Sequence, residues 1–505
     1  MPKSAKLEAM GLNRRSFLRL ATLTASALST AACGSNLRIV NRTDAGLQGI
    51  GSLSGHERRV LDRLCYGVSV IEAQRVGEIG LEAWIEEQLA EYDLPEVDLR
   101  WRLRNLDVLD KDADAIDGAY GKDEVIEQLR SATLLQRVYS RRQLYEMIVE
   151  FWGDHFNISV EKGPGWALKV VDDRAVIRKH ALGSFQHLLL ASARSPAMLF
   201  YLDNQANEKG APNENYAREL LELHTLGVDG GYSQHDVVEL ARCLTGWTVK
   251  EHFWRGRFQF DMTMHDTGIK NLFGMRVEPS GMAEVELVLN HLAKDQATAR
   301  QLALKIMRRF VSDDPMRDAP DWVGKLEQVF MVTRGNIKAL FRKLLLDGLA
   351  RDPALMKSKF KRPVDFVVSA LRITGAETDG GPVLHRFLNR MGQSLFAWPT
   401  PDGPPDDQVY WSSNLAPRWD FSFRLMAGLI DGSSPSDHLN VWTEARKSTA
   451  DLIRSASENL LGYSLPEILI ADLLHNIDHV DGLDVEEEMR AVFAGLLASP
   501  GFQYR

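Results

Sequence analysis

The 505-residue chain has only three cysteines, Cys33, Cys65 and Cys243, and none stands in a CxxC pair or a Cys/His cluster. That excludes zinc fingers, thioredoxin-like redox motifs and c-type haem attachment. The chain also lacks a surplus of basic charge: Lys and Arg number 60 against 69 Asp and Glu, a net charge of -9. Binding a polyanion needs clustered cations, so nucleic acid is not an expected partner. Alternating strand-like runs are scarce, the best being Phe258 to Met262 and Thr248 to Phe253. No phosphate-cradling Gly-Lys-Ser loop, no nucleophile elbow and no internal repeat is present.

What is present is helical periodicity. An apolar fraction of 45% and a charged fraction of 26% are those of an ordinary soluble protein. Apolar residues recur at helical spacing over 79–89, 125–156, 172–192, 213–226, 234–245, 282–293, 298–310, 331–346 and 361–374. Ahead of these, Ser54-Gly55-His56-Glu57 has the spacing of a capping box, and Val60, Leu61, Leu64 and Cys65 continue from it at helical spacing. The expected fold is therefore mainly α: a large multi-helix globular body with long Pro/Gly/Trp loops and little β. Two stretches break the rhythm, KGPGW at 162–166 and WPTPDGPPDDQVYW at 398–411. The second forms either a substrate rim or a structural clamp. Cys65 and Cys243 sit inside apolar helices, either paired or as small buried hydrophobes.

The amino terminus reads as an export signal. Asn13-Arg14-Arg15-Ser16-Phe17-Leu18-Arg19 precedes the weakly apolar run Leu20 to Ala32, the pattern of a twin-arginine signal. That run is about thirteen residues, short of the roughly twenty a membrane-crossing helix needs. It ends at Ala31-Ala32-Cys33-Gly34, in the manner of a lipoprotein signal, so Cys33 is the expected lipidation site; cleavage by the general signal peptidase is the alternative. The expected organisation is a signal over 1–33, a tether over 34–53 and a helical body over 54–505, in one lobe or two. The protein is thus expected to be exported, periplasmic or anchored at the outer membrane by its lipid.

Chemistry-bearing residues concentrate in three places. In NENYARELLELHTLG, Asn213 to Gly227, a projection at about 100° per residue puts Tyr216, Ala217, Leu220, Leu221 and Leu223 on an apolar face. Glu214, Arg218, Glu222 and Thr225 fall opposite, the charged ones as an i, i+4 ion-pair ladder. Glu219 lies at the border and His224 inside the apolar arc. The spacing is not that of a HExxH metal helix. In YEMIVEFWGDHFNIS, Tyr145 to Ser159, the same projection buries His155 and leaves Glu146, Glu150 and Asp154 wet. If the two histidines face one another with Glu219 beside them, they form a divalent-metal site or an acid/base pair; otherwise they are separate structural histidines. The third place is His265-Asp266-Thr267-Gly268-Ile269-Lys270, where His265, Asp266 and Lys270 form a functional loop or a turn bonded to its own backbone.

Several segments carry a family resemblance: RLCYGVSVIEAQRVGEIGLEAWIEEQL, FWGDHFNIS, APNENYARELLELHTLGVDGGYSQHDVVELARCLTGW, HDTGIKNLFG, RRFVSDDP, MGQSLFAWPTPDGPPD and LASPGFQYR. Together they resemble the bacterial family catalogued as domain of unknown function 1800, over nearly all of 55–505. The resemblance implies an exported, largely helical protein, commonly encoded beside a sulfatase- or phosphatase-like envelope protein, and brings no activity. The family's FWHNHF-like motif has Gly153 and Asp154 here, so only His155 of its histidines is matched. The functional expectation is a metal-dependent enzyme acting on envelope material, or else a non-enzymatic helical adaptor for the neighbouring envelope protein.

Overall fold

The computed structural model describes residues 53–90, 94–251, 256–436, 448–478 and 483–505. The expected signal, Cys33 and nearly all of the tether fall outside them, as do 252–255 at the end of one expected strand. The protein is mainly α. Among the described residues the only sheets are three two-stranded antiparallel pairs. None of the described helices is long and apolar enough to cross a membrane. In chain order, the helices used below are α1 (Gly55–Leu64), α2 (Gln143–His155), α3 (Asn215–Glu219), α4 (Gln234–Leu244), α5 (Met282–Leu292), α6 (Gln296–Phe310), α7 (Pro320–Thr333), α8 (Pro363–Ile373), α9 (Ala416–Met426) and α10 (Val485–Ala498).

The chain divides into two compact units. Unit 1 takes in the described residues up to Trp84, then Ser358–Gln393 and Asp407–Arg505; unit 2 comprises Ile85–Lys357 and Ser394–Asp406. In unit 1, α1 begins as expected: Ser54 Oγ accepts from Glu57 N–H at 3.2 Å and Glu57 Oε2 accepts from Ser54 N–H at 2.8 Å. Helix α9 packs on both α8 and α10. Phe366 of α8 meets Phe421 of α9 and Phe502 edge-on.

In unit 2, α2 is more deeply buried than its pattern predicts. Glu146 and Glu150, placed on a wet face by projection, are 2% and 4% exposed. Each is matched by a guanidinium, Arg178 on Glu146 at 2.9 Å and Arg309 on Glu150 at 2.7 Å. Periodicity misplaced them because a buried carboxylate that finds an arginine from a distant element reads locally as a solvated one. Helix α6 packs on α7, and α4 on α5 and on strand β3 (Lys270–Leu272), which pairs with β4 (Met275–Val277). Strands β1 (Trp247–Val249) and β2 (Phe258–Phe260) form the other hairpin of this unit.

Glycine and chain geometry cut the expected helices more finely. The run 79–89 is broken at Gly80, whose φ of 83° no helix accepts. The run 331–346 is broken where Arg334 and Gly335 take φ of 56° and 75°. Cys65 and Cys243 are both free and buried, as small hydrophobes. The loop 398–411 works as a clamp on its unit 2 side: Asn157 Nδ2 donates to the carbonyls of Trp398 (3.2 Å) and Thr400 (2.7 Å), and Tyr201 Oη donates to Pro399 O at 2.9 Å.

Candidate functional site

Helix α2 ends at His155, whose ring lies in an aromatic enclosure: Phe156 at 4.5 Å, Trp152 at 5.4 Å and Phe185 at 6.3 Å between centroids. The His224 ring is 5.9 Å away. The structure thus brings the two histidines together. His155 Nε2 faces the His224 carbonyl at 3.2 Å, and Nδ1 faces the Lys305 ammonium, also at 3.2 Å. A carbonyl only accepts and an ammonium only donates, so one neutral tautomer satisfies both contacts: N–H at Nε2, lone pair at Nδ1. Burial holds the His155 imidazole well below its ordinary range, and the Lys305 charge pushes the same way.

Lys305, on α6, was not singled out by sequence. It is partly buried, donates also to Leu223 O at 2.9 Å, and has no carboxylate within ion-pair distance among the described residues. Burial, with Arg308 assisting, lowers it to about 8; Asp402 opposes the shift. His224 is fully buried, and neither ring nitrogen has a hydrogen-bond partner among the described residues. Burial and Lys305 bring it down to about 3.

The placement of His224 depends on a feature no α projection contains. After α3 the chain continues as a π-helix, Leu220–His224, the wider turn often found at functional sites. The phase slips, so Thr225 is fully buried while Leu223 is only partly so, the reverse of the projection. The ladder is cut too. Arg218 pairs with Glu214 at 2.9 Å and then turns to Gln234 at 3.1 Å, not to Glu222. Asn213 Oδ1 accepts from Asn215 N–H at 2.9 Å, and Gly227 closes the segment with φ of 85°.

Glu219 is partly buried and without a hydrogen bond or ion pair among the described residues. Burial raises its carboxyl, and so do Glu222 and Asp402. Asp402 arrives on the clamped loop, where Gly403 (φ of 75°) lies so close to the α2 end that a Cβ would stand 2.4 Å from Asp154 O. The expected metal triad of His155, Glu219 and His224 does not converge. Among the described residues no group of three or more His, Cys, Asp or Glu side chains is placed to hold an ion. Both nitrogens of His155 are also engaged, one by a cation that a metal would have to displace.

His265, Asp266 and Lys270 form a second, self-contained cluster. Lys270 and Glu284 are fully buried and paired at 2.6 Å; the other Glu284 oxygen lies 3.1 Å from His265 Nε2 and accepts from Ser280 and Gly281 N–H. His265 Nδ1 meets Thr245 O at 2.8 Å. Asp266 takes Arg242 bidentately at 2.9 and 3.1 Å, and those bonds hold its carboxyl down to about 2. These groups fasten β3 and the 265–270 turn to α4 and α5, every member with partners. Among the described residues they share no hydrogen bond, ion pair or ring contact with His155, His224 or Lys305.

With this geometry in place, comparison with known families is decisive on ancestry. The model of the family described as Protein of unknown function (DUF1800) matches residues 59–504. The chain belongs to this family. No curated protein and no solved structure matches it significantly.

In this DUF1800 chain, the residues sequence reasoning passed over are Lys305 and Asp402. Lys305 did leave a signal. Thr298, Leu302, Lys305 and Arg309 follow core spacing along α6, and the other three are at most 1% exposed. A lysine within a core seam either extends its amine to water or has a specific partner. Asp402 left none, because the loop that carries it is docked by Asn157 and Tyr201, which are distant in sequence.

Proposed function

We propose that this is an exported envelope protein, lipid-anchored through Cys33, whose body carries a proton-transfer site for hydrolysis of envelope material. The observation that carries the proposal is the Lys305–His155 contact: a partly desolvated amine with no counter-ion, hydrogen-bonded to an imidazole whose lone pair accepts its proton. At a pH near its titration point the neutral amine takes a proton from water or a substrate hydroxyl, which is general-base work. The orphaned nitrogens of His224 supply a hydrogen-bonding point for a substrate polar group. The arrangement favours proton transfer over the metal-dependent version, since the ligands the latter needs are apart or occupied. The twin-arginine pattern supports export, and the route moves folded chains.

The test uses the purified mature protein and isolated envelope material separated into glycan, peptide and lipid fractions, with release of new reducing ends, amines or acids as readout. The expected result is product from one fraction, at a rate climbing through about pH 8 and falling at least about 100-fold in Lys305→Met, the scale of a lost general base. No product from any fraction would instead favour the non-enzymatic adaptor, and an equal rate in a folded Lys305→Met variant would overturn the role of Lys305 as the base. In cells, Cys33→Ser is expected to move the protein out of the membrane fraction; an unchanged distribution would reject the anchor.

A further inference from the structure

Unit 1 holds a separate concentration of buried positive charge. Residues 359–361 run against 503–505: Lys359 N–H donates to Arg505 O at 3.0 Å and Lys361 N–H to Gln503 O at 2.7 Å, with Phe360 bridged to Tyr504. Over this ribbon lies Arg418 of α9, fully buried. Its Nη1 donates to Gln503 Oε1 at 3.1 Å and its Nη2 to Lys361 O at 2.7 Å. Its plane faces Phe360 and Phe366 at 4.7 and 5.1 Å, and its Nε has no acceptor among the described residues. Lys361 is 7% exposed, and its ammonium sits 3.5 Å over the Phe502 ring.

Neither cation has a carboxylate within ion-pair distance among the described residues. The nearby acids are engaged elsewhere: Asp365 by Arg505 at 3.3 Å and by Arg362 N–H at 3.2 Å, and Asp62 by Arg58 at 3.4 Å. A ring face returns only a fraction of what an ion loses on leaving water, and neutral amide oxygens do not balance charge. Two such cations, linked by the Arg418 Nη2–Lys361 O bond and close enough for the Arg418 charge to act on Lys361, with an orphaned N–H, therefore leave a charge to be matched. We propose that Lys361 and Arg418 form a binding site for a small oxyanion of phosphate chemistry, held by the Lys361 ammonium and Arg418 Nε–H. Burial supports this: without an anion it draws Lys361 down to about 7 and Arg418 to about 9. An oxyanion is favoured over chloride because separate donors on Lys361 and Arg418 suit an acceptor with several oxygens.

The proposal concerns a different unit from the Lys305 site and stands or falls separately. Its test is isothermal titration of the mature protein with inorganic phosphate, and with sulfate, whose charge stays constant across the pH range, against chloride at equal ionic strength. Saturable binding at one site per chain is expected. Lys361→Met should weaken it about tenfold or more, Lys361→Arg should largely retain it, and Lys305→Met should leave it unchanged. Sulfate affinity of the wild-type protein should also fall about tenfold or more from about pH 6 to about pH 9 as Lys361 loses its proton. That arm needs no variant, so a Lys361→Met chain that fails to fold does not weaken the test. No saturable heat with either anion, or the same affinity in folded Lys361→Met, or sulfate binding flat across that pH range, would overturn the site.

Discussion

His224 is the residue whose state most directly reports on the site. Its imidazole is fully buried and is held at about 3 by burial and by Lys305, against an ordinary value near 6.5. Between those values the unfolded chain binds a proton that the folded chain does not, so folding stability must fall as pH drops from about 6.5 toward about 3. His155, lowered from the same two sources, acts in the same direction. Replacing His224 by Asn removes the group that must charge on unfolding. The expected outcome is a shallower loss of melting temperature below about pH 6.5 than in the wild type, read by thermal melts across the acid range; parallel curves would show that His224 is already solvated. The sequence projection correctly put both histidines on apolar faces. It could not supply Lys305 as their partner, because that contact spans 150 positions along the chain.

At the scale of elements, local rules hold wherever the α-helix or its cap is the unit of information. The capping box expected at Ser54 is formed, and α4, α5 and α8 lie close to their expected limits. They fail where geometry departs from 3.6 residues per turn. The π turn at Leu220–His224 turns Thr225 inward and breaks the expected Arg218–Glu222 pair. Nothing in the composition of LLELH announces it. The 265–270 loop gives the opposite lesson. Its residue types look catalytic, yet they are consumed in holding β3 against α4 and α5. Glu284, outside the motif, is the centre of that fastening. Glu284→Gln breaks a buried pair with Lys270, a change that typically costs about 3 to 5 kcal/mol. It is therefore expected to lower the denaturation midpoint strongly while leaving Lys305 reactivity in the folded fraction as in the wild type. A changed Lys305 titration in that variant would join two clusters that here stand apart.

At the scale of the molecule, composition and periodicity were sufficient for the class, since a mainly α chain needs no long-range information to be recognised as one. They were insufficient for the division into two units, because unit 1 is assembled from three separated stretches and unit 2 from two. The loop around Asp402 shows why the site itself was only half legible. Its prolines and Gly403 announce an irregular turn, but its docking against Asn157, Tyr201 and Asp154 is tertiary. What unit 2 achieves is to place an amine without a counter-ion beside a neutral imidazole. Whether that amine is chemically distinct can be measured on the intact protein. Amine-selective labelling of the native chain as a function of pH, quantified by peptide mass spectrometry, yields the titration midpoint of Lys305 against the other lysines. A midpoint at about 8 is expected for Lys305, with exposed lysines near the ordinary value of about 10.4. A Lys305 midpoint at or above that ordinary value would contradict a proton-transfer role for the site.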